Sequence, residues 1–330
     1  MGSEKLRIFD LHCDTLYRMA MLDGVSCLIS GDEGKEQLSI IKKADPHILF
    51  EQMRAFDWCQ CIAIFIPDRL APEETWRYYQ QARALFDEVL VENNDHLVQV
   101  YASQEITKAF FQGKSAAILT IEGASFLRDS LEHVEEIVHD GARIITLTWN
   151  AQNAIAGGVS SHEGFSSFGR QVVKALEEQQ IIIDASHLSD ESFSDLQSIA
   201  TRPFIASHSN SRTVCDHPRN LTDEQFLCIK ERGGVVGLNF CNGFLITDKR
   251  DPTPEDVLRH VEHWLNLGGE ETIALGSDYD GADIPSWLMP GDKLPVLHEH
   301  VRKAFGKRIS EKLFSENTHF FLKQNLRDAP

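Results

Sequence analysis

The chain has 330 residues, 42% hydrophobic and 25% charged, the usage of an ordinary globular protein long enough to bury a sizeable core. Its formal net charge of −18 repels nucleic-acid phosphates and anionic lipid, which argues against both as partners and leaves solubility as the plain reading of that charge. No apolar run reaches the roughly 18 to 20 residues of a spanning helix; Met1 to Asp10 lacks a signal-peptide pattern and Lys323 to Pro330 is polar, so a cytoplasmic protein without membrane contact is expected.

In chain order, short apolar or β-branched runs alternate with stretches of helical periodicity. Strands are predicted at Arg7 to Leu11, Cys61 to Ile66, Ala116 to Ile121, Arg143 to Thr148, Ile181 to Ala185, Phe204 to Ser207, Val235 to Phe240 and Ile273 to Gly276. Most are nearly continuous apolar runs, as strands covered on both faces of a parallel sheet require. Eight of them with helices between predict an α/β fold, a single (β/α)8 TIM barrel over residues 1–330, because closure leaves no sheet edge. An open doubly wound sheet would carry a glycine-rich phosphate loop after the first strand, where this chain reads Leu11-His12-Cys13-Asp14-Thr15.

Local signals support the helices. Thr222 with Gln225 has capping-box spacing, Thr253-Pro254 reads as N-cap and first helical residue, and Gly268 with Gly269 closes the helix begun there. Two connections are long, near 15–58 and 150–168, and both follow strand carboxyl ends, where barrels build their pockets. The second, with Gly157, Gly158, Ser160, Ser161 and Gly164, reads as a mobile lid. Seven cysteines without a CxxC pair fit neither a disulfide framework nor a thiolate zinc site, and Cys59 and Cys61 share one face of a strand.

Polar residues end the strands. His12 and Asp14 follow the first on one side and can grip a divalent ion, although such a pair alone is more often a turn. Glu122 ends the third, with Gly123 giving the backbone room to turn; a buried carboxylate there needs a cation or donors, and a salt bridge to a basic residue would equally serve. His187 and His208 end the fifth and sixth strands at the same relative height, and Asp278 ends the eighth, with Asp280 assigned to the Asp-Gly turn. Three histidines and three carboxylates from five strands converge only in a barrel, and imidazole and carboxylate without thiolate suits zinc, with manganese, cobalt or iron as alternatives. His260 with His263, mid-helix, and His298 with His300, around Glu299, are read as surface features.

These motifs resemble the membrane (renal) dipeptidase family of zinc peptidases, in its soluble bacterial form. The resemblance runs through Asp10-Leu11-His12-Cys13-Asp14, Ile121-Glu122-Gly123-Ala124, Asp184-Ala185-Ser186-His187, Ala206-Ser207-His208-Ser209, Pro218-Arg219-Asn220 and Gly276-Ser277-Asp278-Tyr279-Asp280-Gly281. It implies a barrel of the metal-dependent hydrolase type holding two Zn2+ per chain: His12 and Asp14 on one, His187 and His208 on the other, Glu122 bridging, and Asp278 exchanging protons with the reacting groups. Arg219 would hold the carboxylate of a dipeptide substrate, with Arg212 as the other candidate clamp. The family's chemistry uses a hydroxide between the metals; short dipeptides are the expected substrates here, those with a D-residue at the carboxyl end included, and homodimers are common among the family's members. One position departs: the animal enzymes end the fourth strand in a histidine that steadies the tetrahedral intermediate, and Trp149 stands there. Asn150 or Asn153 is left to substitute, or zinc acts alone, and another metal-dependent amidohydrolase acting on a cyclic amide, lactone or phosphoester is the alternative activity.

Overall fold

The protein is seen in a computed structural model that describes residues 5–22, 46–128 and 130–326. The middle of the long 15–58 connection, residues 23–45, therefore lies outside the described residues, and Cys27 with it.

The α/β fold is organised on a parallel sheet. Its strands are β1 (Arg7–Asp10), β2 (Asp57–Phe65), β3 (Leu97–Gln99), β4 (Ser115–Glu122), β5 (Ile144–Thr146), β6 (Ile182–Asp184), β7 (Val236–Leu238) and β8 (Ile273–Leu275). They run in the order β6-β5-β4-β2-β1-β8-β7, with β3 attached beside β4. The register brings the carboxyl ends level: Phe65 faces Glu122, Glu122 faces Thr146, and Thr146 faces Asp184. Side chains of one strand alternate between two packed clusters, Ile8 and Trp58 going to the larger and Phe9 and Cys59 to the smaller.

Seven of the eight predicted strands are present with shifted ends. The predicted strand Phe204 to Ser207 is instead two single parallel bridges, Asp184 to Ile205 and Ala206 to Val236, because successive residues pair with opposite neighbours before a ladder can build up. Ile205 N–H donates to Ile183 O and Ala206 N–H to Val235 O. β2 begins four residues earlier than predicted, since Gln60, which interrupts the apolar run, is buried and satisfied by Trp58, Cys61 and Asp10. The three-residue β3, which follows the turn at Asn93-Asn94-Asp95, is too short to show a periodic pattern and was not predicted.

The helices that bear on the site are α1 (Thr15–Leu22), α2 (Thr75–Glu92), α3 (Ser167–Glu178), α4 (Asp190–Ile199), α5 (Asp223–Glu231) and α6 (Pro254–Asn266). The Thr222–Gln225 capping box forms reciprocally at α5, and α6 starts at Pro254 and ends before Gly268, whose φ of +75° suits glycine. The segment from Asn150 to Ser166 is irregular, as expected of a lid, but it is tied to α4. Ser189 and Ser192 hydroxyls donate to Glu163 O, Ser189 N–H to Gly157 O, and Phe165 N–H to Asp195. It forms a fixed wall.

His260 is a correction. It is fully buried, accepting from Ser211 N–H and bonded to Leu245 O, because it lies on the same stripe of α6 as Val257, Val261 and Trp264. His263, at the edge of that stripe, meets Asp223 at 2.8 Å. His298 and His300 are half-buried against Phe314 and Trp287, so they too are packing residues more than surface ones.

Candidate metal centre

Each predicted ligand sits just beyond, or at, the carboxyl end of a parallel strand. His12 and Asp14 follow β1, Glu122 is the last residue of β4, His187 follows β6, His208 follows the bridged residues 205–206, and Asp278 follows β8. Backbone geometry turns two of them inward: His187 and Asp278 have φ of +68° and +61°, left-handed values that non-glycine residues adopt only when held there. Two glycines make room. Gly123 turns at φ +90°, and a Cβ at Gly281 would lie 2.1 Å from Asp14 Oδ2 and 2.6 Å from Asp278 Oδ1.

The side chains form one buried cluster with two halves. On the first, His12 Nε2 is 3.3 Å from Asp14 Oδ2 and 4.0 Å from Asp278 Oδ1. On the second, His187 Nε2 and His208 Nε2 lie 3.0 Å apart. Glu122 stands between: Oε2 is 3.6 Å from His12, while Oε1 is 2.8 Å from His187 and 3.6 Å from His208. The rings of His12 and His208 stack at 3.8 Å between centroids, so the halves touch.

Hydrogen bonds around the second half point to the nitrogen that carries the proton. Asp184 accepts from the N–H groups of Ser186 and Ser207 and from the hydroxyls of Thr146 and Ser207. Having given its only hydrogen to Asp184, Ser207 Oγ accepts from His208 Nδ1–H at 2.6 Å. His187 Nδ1–H likewise donates to Asn150 Oδ1 at 2.8 Å. Both Nε2 atoms are then left as bare lone pairs aimed at one another and at a carboxylate oxygen, an arrangement that repels itself unless a cation lies among them. Asp14 Oδ1, buried and without a hydrogen-bond partner, is a further donor in want of one. The donor set of imidazoles and carboxylates fits divalent metal, zinc above all.

Electrostatics agree with that fit. Burial by itself would lower the His12 imidazole, but the carboxylates of Glu122, Asp14 and Asp278 outweigh it and push it up to about 10. Glu122 is held well above the usual carboxylate range by burial and then by Asp14, and Asp278 is raised to about 6, chiefly by burial. His187 and His208 are held well below the usual histidine range by burial, reinforced by Arg219 and His12. The first half is rich in negative charge and the second in neutral imidazole.

Of the two candidate clamps, Arg212 is already engaged, paired through both terminal nitrogens with Asp190 at 2.7 and 2.9 Å. Arg219 is buried, its Nε has no partner, and its guanidinium lies over Phe244 with one weak contact to His208 O. Trp149 packs edge-on against Phe65, with its ring 6.3 Å from that of His187, so it flanks the cluster. Asn153 is unsuited to replace a catalytic histidine, because its amide is used up on Leu147 O, Ile155 N and Ala156 N. Asn150 reaches the cluster as the partner of His187.

The supporting roles of three residues, two of them inside the motifs named above, escaped the sequence reading. Asn239 donates to Asp278 Oδ2 at 2.9 Å, and Asp10 and Asp184 bind serines across the sheet. The available signal was a polar residue inside an otherwise apolar strand run.

Comparison with known proteins adds a separate line. The model of a family described as membrane dipeptidase (peptidase family M19) matches residues 3–323. An uncharacterized protein in the pqqA 5′ region of Klebsiella pneumoniae is 30% identical over 249 residues, covering 72% of this chain and 92% of that protein. The dipeptidase verJ of Clonostachys rogersoniana is 31% identical over 250 residues, covering 72% of this chain but 64% of verJ, under two thirds of its length. Among solved structures, the metallo peptidase "dipeptidase AC" of family M19 superposes with a TM-score of 0.87 at 25% identity, covering 98% of this chain and 99% of that one. A metallo peptidase from Rhodobacter sphaeroides, liganded with a phosphinate mimic of the dipeptide L-Ala-D-Ala, gives 0.83 at 25% identity, covering 98% and 100%.

Proposed function

Since the chain belongs to the membrane dipeptidase family, peptidase family M19, we propose that it is a dipeptidase that uses two zinc ions, held by His12, Asp14, Glu122, His187 and His208, to hydrolyse short dipeptides. The observation that carries this reading is Glu122, whose two oxygens face His12 on one side and His187 with His208 on the other, as a carboxylate shared by two ions must. Two ions bound there supply Lewis acidity toward a carbonyl oxygen and make water acidic enough to attack near neutral pH.

The chain's own residues do the rest. Arg219 can pair its planar fork with the substrate's terminal carboxylate, which fits its buried and unpartnered Nε. Asp278, steadied by Asn239, takes a proton from the attacking water and returns it to the leaving amine. Trp149 and Asn150 line the side toward Phe65 and contribute to substrate binding.

The proposal includes the architecture: residues 1–330 as one (β/α)8 TIM barrel domain, with the bridges at Ile205 and Ala206 joining β6 to β7 and so completing the ring begun by the β1–β8 pairing. It also includes a homodimer and a cytoplasmic location. Among the described residues no helix is long and apolar enough to cross a membrane.

Zinc-loaded protein is expected to hold two zinc ions per chain and to turn over members of a panel of L,L and L,D dipeptides, L-Ala-D-Ala among them. Absence of turnover across the panel overturns the dipeptidase reading. A preference for a cyclic or blocked amide, lactone or phosphoester favours the alternative that Trp149 raises.

A further inference from the structure

We propose that Asp184 is a positioning residue for the metal centre: acting through Ser207, it fixes His208 in the tautomer that presents Nε2, and thereby sets the zinc affinity of the half formed by His187 and His208. The inference rests on the two-metal reading of the site.

Asp184 is 1% exposed and touches no proposed ligand side chain. Its carboxylate accepts from two amide N–H groups, which can only donate, and from the hydroxyls of Thr146 and Ser207. The Ser207 hydroxyl is thereby committed at 2.5 Å, and its oxygen can only accept from the His208 ring at 2.6 Å. Were the hydroxyl to turn toward His208, Nδ1 would become the acceptor and Nε2 would carry the proton, which no metal ligand can. The chain Asp184, Ser207, His208 thus does with an interposed serine what a carboxylate bonded directly to a zinc-bound histidine does elsewhere, orienting the ring and raising its basicity.

The same carboxylate also joins β5, β6 and the bridged residues 205–207, so it has a structural part as well. Ser207→Ala separates the two. It leaves Asp184 three of its donors and removes, besides the relay, only the 3.4 Å contact of Ser207 Oγ with Ser186 Oγ.

The test is a zinc titration against a competing chelator, with melting temperature of the metal-free protein recorded alongside. For Ser207→Ala one of the two zinc affinities is expected to fall about 10–100-fold, the range of outer-shell changes, while the other moves less than about threefold. Ser207→Thr, which keeps the hydroxyl, is expected to restore it, and Asp184→Asn to reproduce the loss. In 15N spectra of the metal-free protein His208 is expected as the Nδ1–H tautomer in the wild type and to shift toward the Nε2–H tautomer in Ser207→Ala. Wild-type zinc affinity in Ser207→Ala, with or without a lower melting temperature, overturns the relay. Failure of the wild-type protein itself to bind zinc overturns the two-metal reading instead, so the two failures are told apart.

Discussion

Asp10 and Asp184 occupy matching places on two seams of the sheet. Each is a buried aspartate at the end of a short strand, and each accepts the N–H and the hydroxyl of a serine on the adjoining strand: Ser277 for Asp10, at 2.8 and 2.5 Å, and Ser207 for Asp184, at the same two distances. The atom reached next differs. Ser277 lies against the backbone carbonyl of His12, whereas Ser207 lies against the ring nitrogen of His208. One clamp therefore places a ligand by its main chain and the other by its imidazole. The first half, crowded with carboxylates, has charge enough to attract a cation; the second, made of neutral rings, depends on having its lone pairs aimed.

The change with the largest expected effect removes what the halves share. Glu122→Gln should abolish retention of two zinc ions and reduce kcat/KM well beyond the 10–100-fold of outer-shell changes, measured by metal analysis and dipeptide hydrolysis together. Loss of one ion only would show that the halves are independent. Asp278→Asn should come next, lowering kcat by about 10²–10⁴-fold, the usual weight of a general acid–base group, while zinc content stays at the wild-type level. A fall in zinc content would recast Asp278 as a ligand of the first half.

Asp10→Asn should sharpen the contrast with Asp184. An amide there can keep its oxygen on the Ser277 N–H only by turning its NH2 toward the Ser277 hydroxyl, which loses its acceptor; this should cost roughly 1–3 kcal/mol of stability in denaturant unfolding, with zinc affinity changed less than about threefold. A drop in affinity as large as that of Ser207→Ala would erase the distinction between the clamps.

The smallest effect is expected far from both. Asp256, in the first turn of α6, pairs with Arg250 and Arg259 and accepts from Thr253 N–H and its hydroxyl; Arg250 first, and then Thr253, hold its carboxyl well below the usual range. Because the folded-state pKa is depressed, the stabilisation is complete above the unfolded value near 3.8 and fades as pH falls through the folded one. Asp256→Asn should lower stability by about 1 kcal/mol at neutral pH, converge with the wild type in strong acid, and leave hydrolysis unchanged.

The ligands were legible in the sequence because strand ends are. An imidazole or carboxylate within a few residues of the end of an apolar run marks the carboxyl end of a parallel strand, and His12, Glu122, His187, His208 and Asp278 all carry that mark. The clamps were not, because the partner of Asp10 is 267 residues away, and only closure of the sheet brings Ser277 beside it. The choice between Arg219 and Arg212 was equally hidden, since it depends on Asp190 at the start of a different helix. His260 is the opposite case: three residues after Val257 and four before Trp264, it stood on the apolar stripe of its helix in plain view.

The depth of the cluster bears on time as well as on affinity. His12, Asp14, Glu122, His187 and His208 are each no more than 7% exposed, and the segment that walls one side is bound to α4. An ion seated among them leaves only after several buried ligand side chains have let go together, so its residence is governed by the rate of that local opening. Stripping by a chelator would then slow to a limit that more chelator does not raise, and a brief shortage of metal would pass without the protein losing what it already holds.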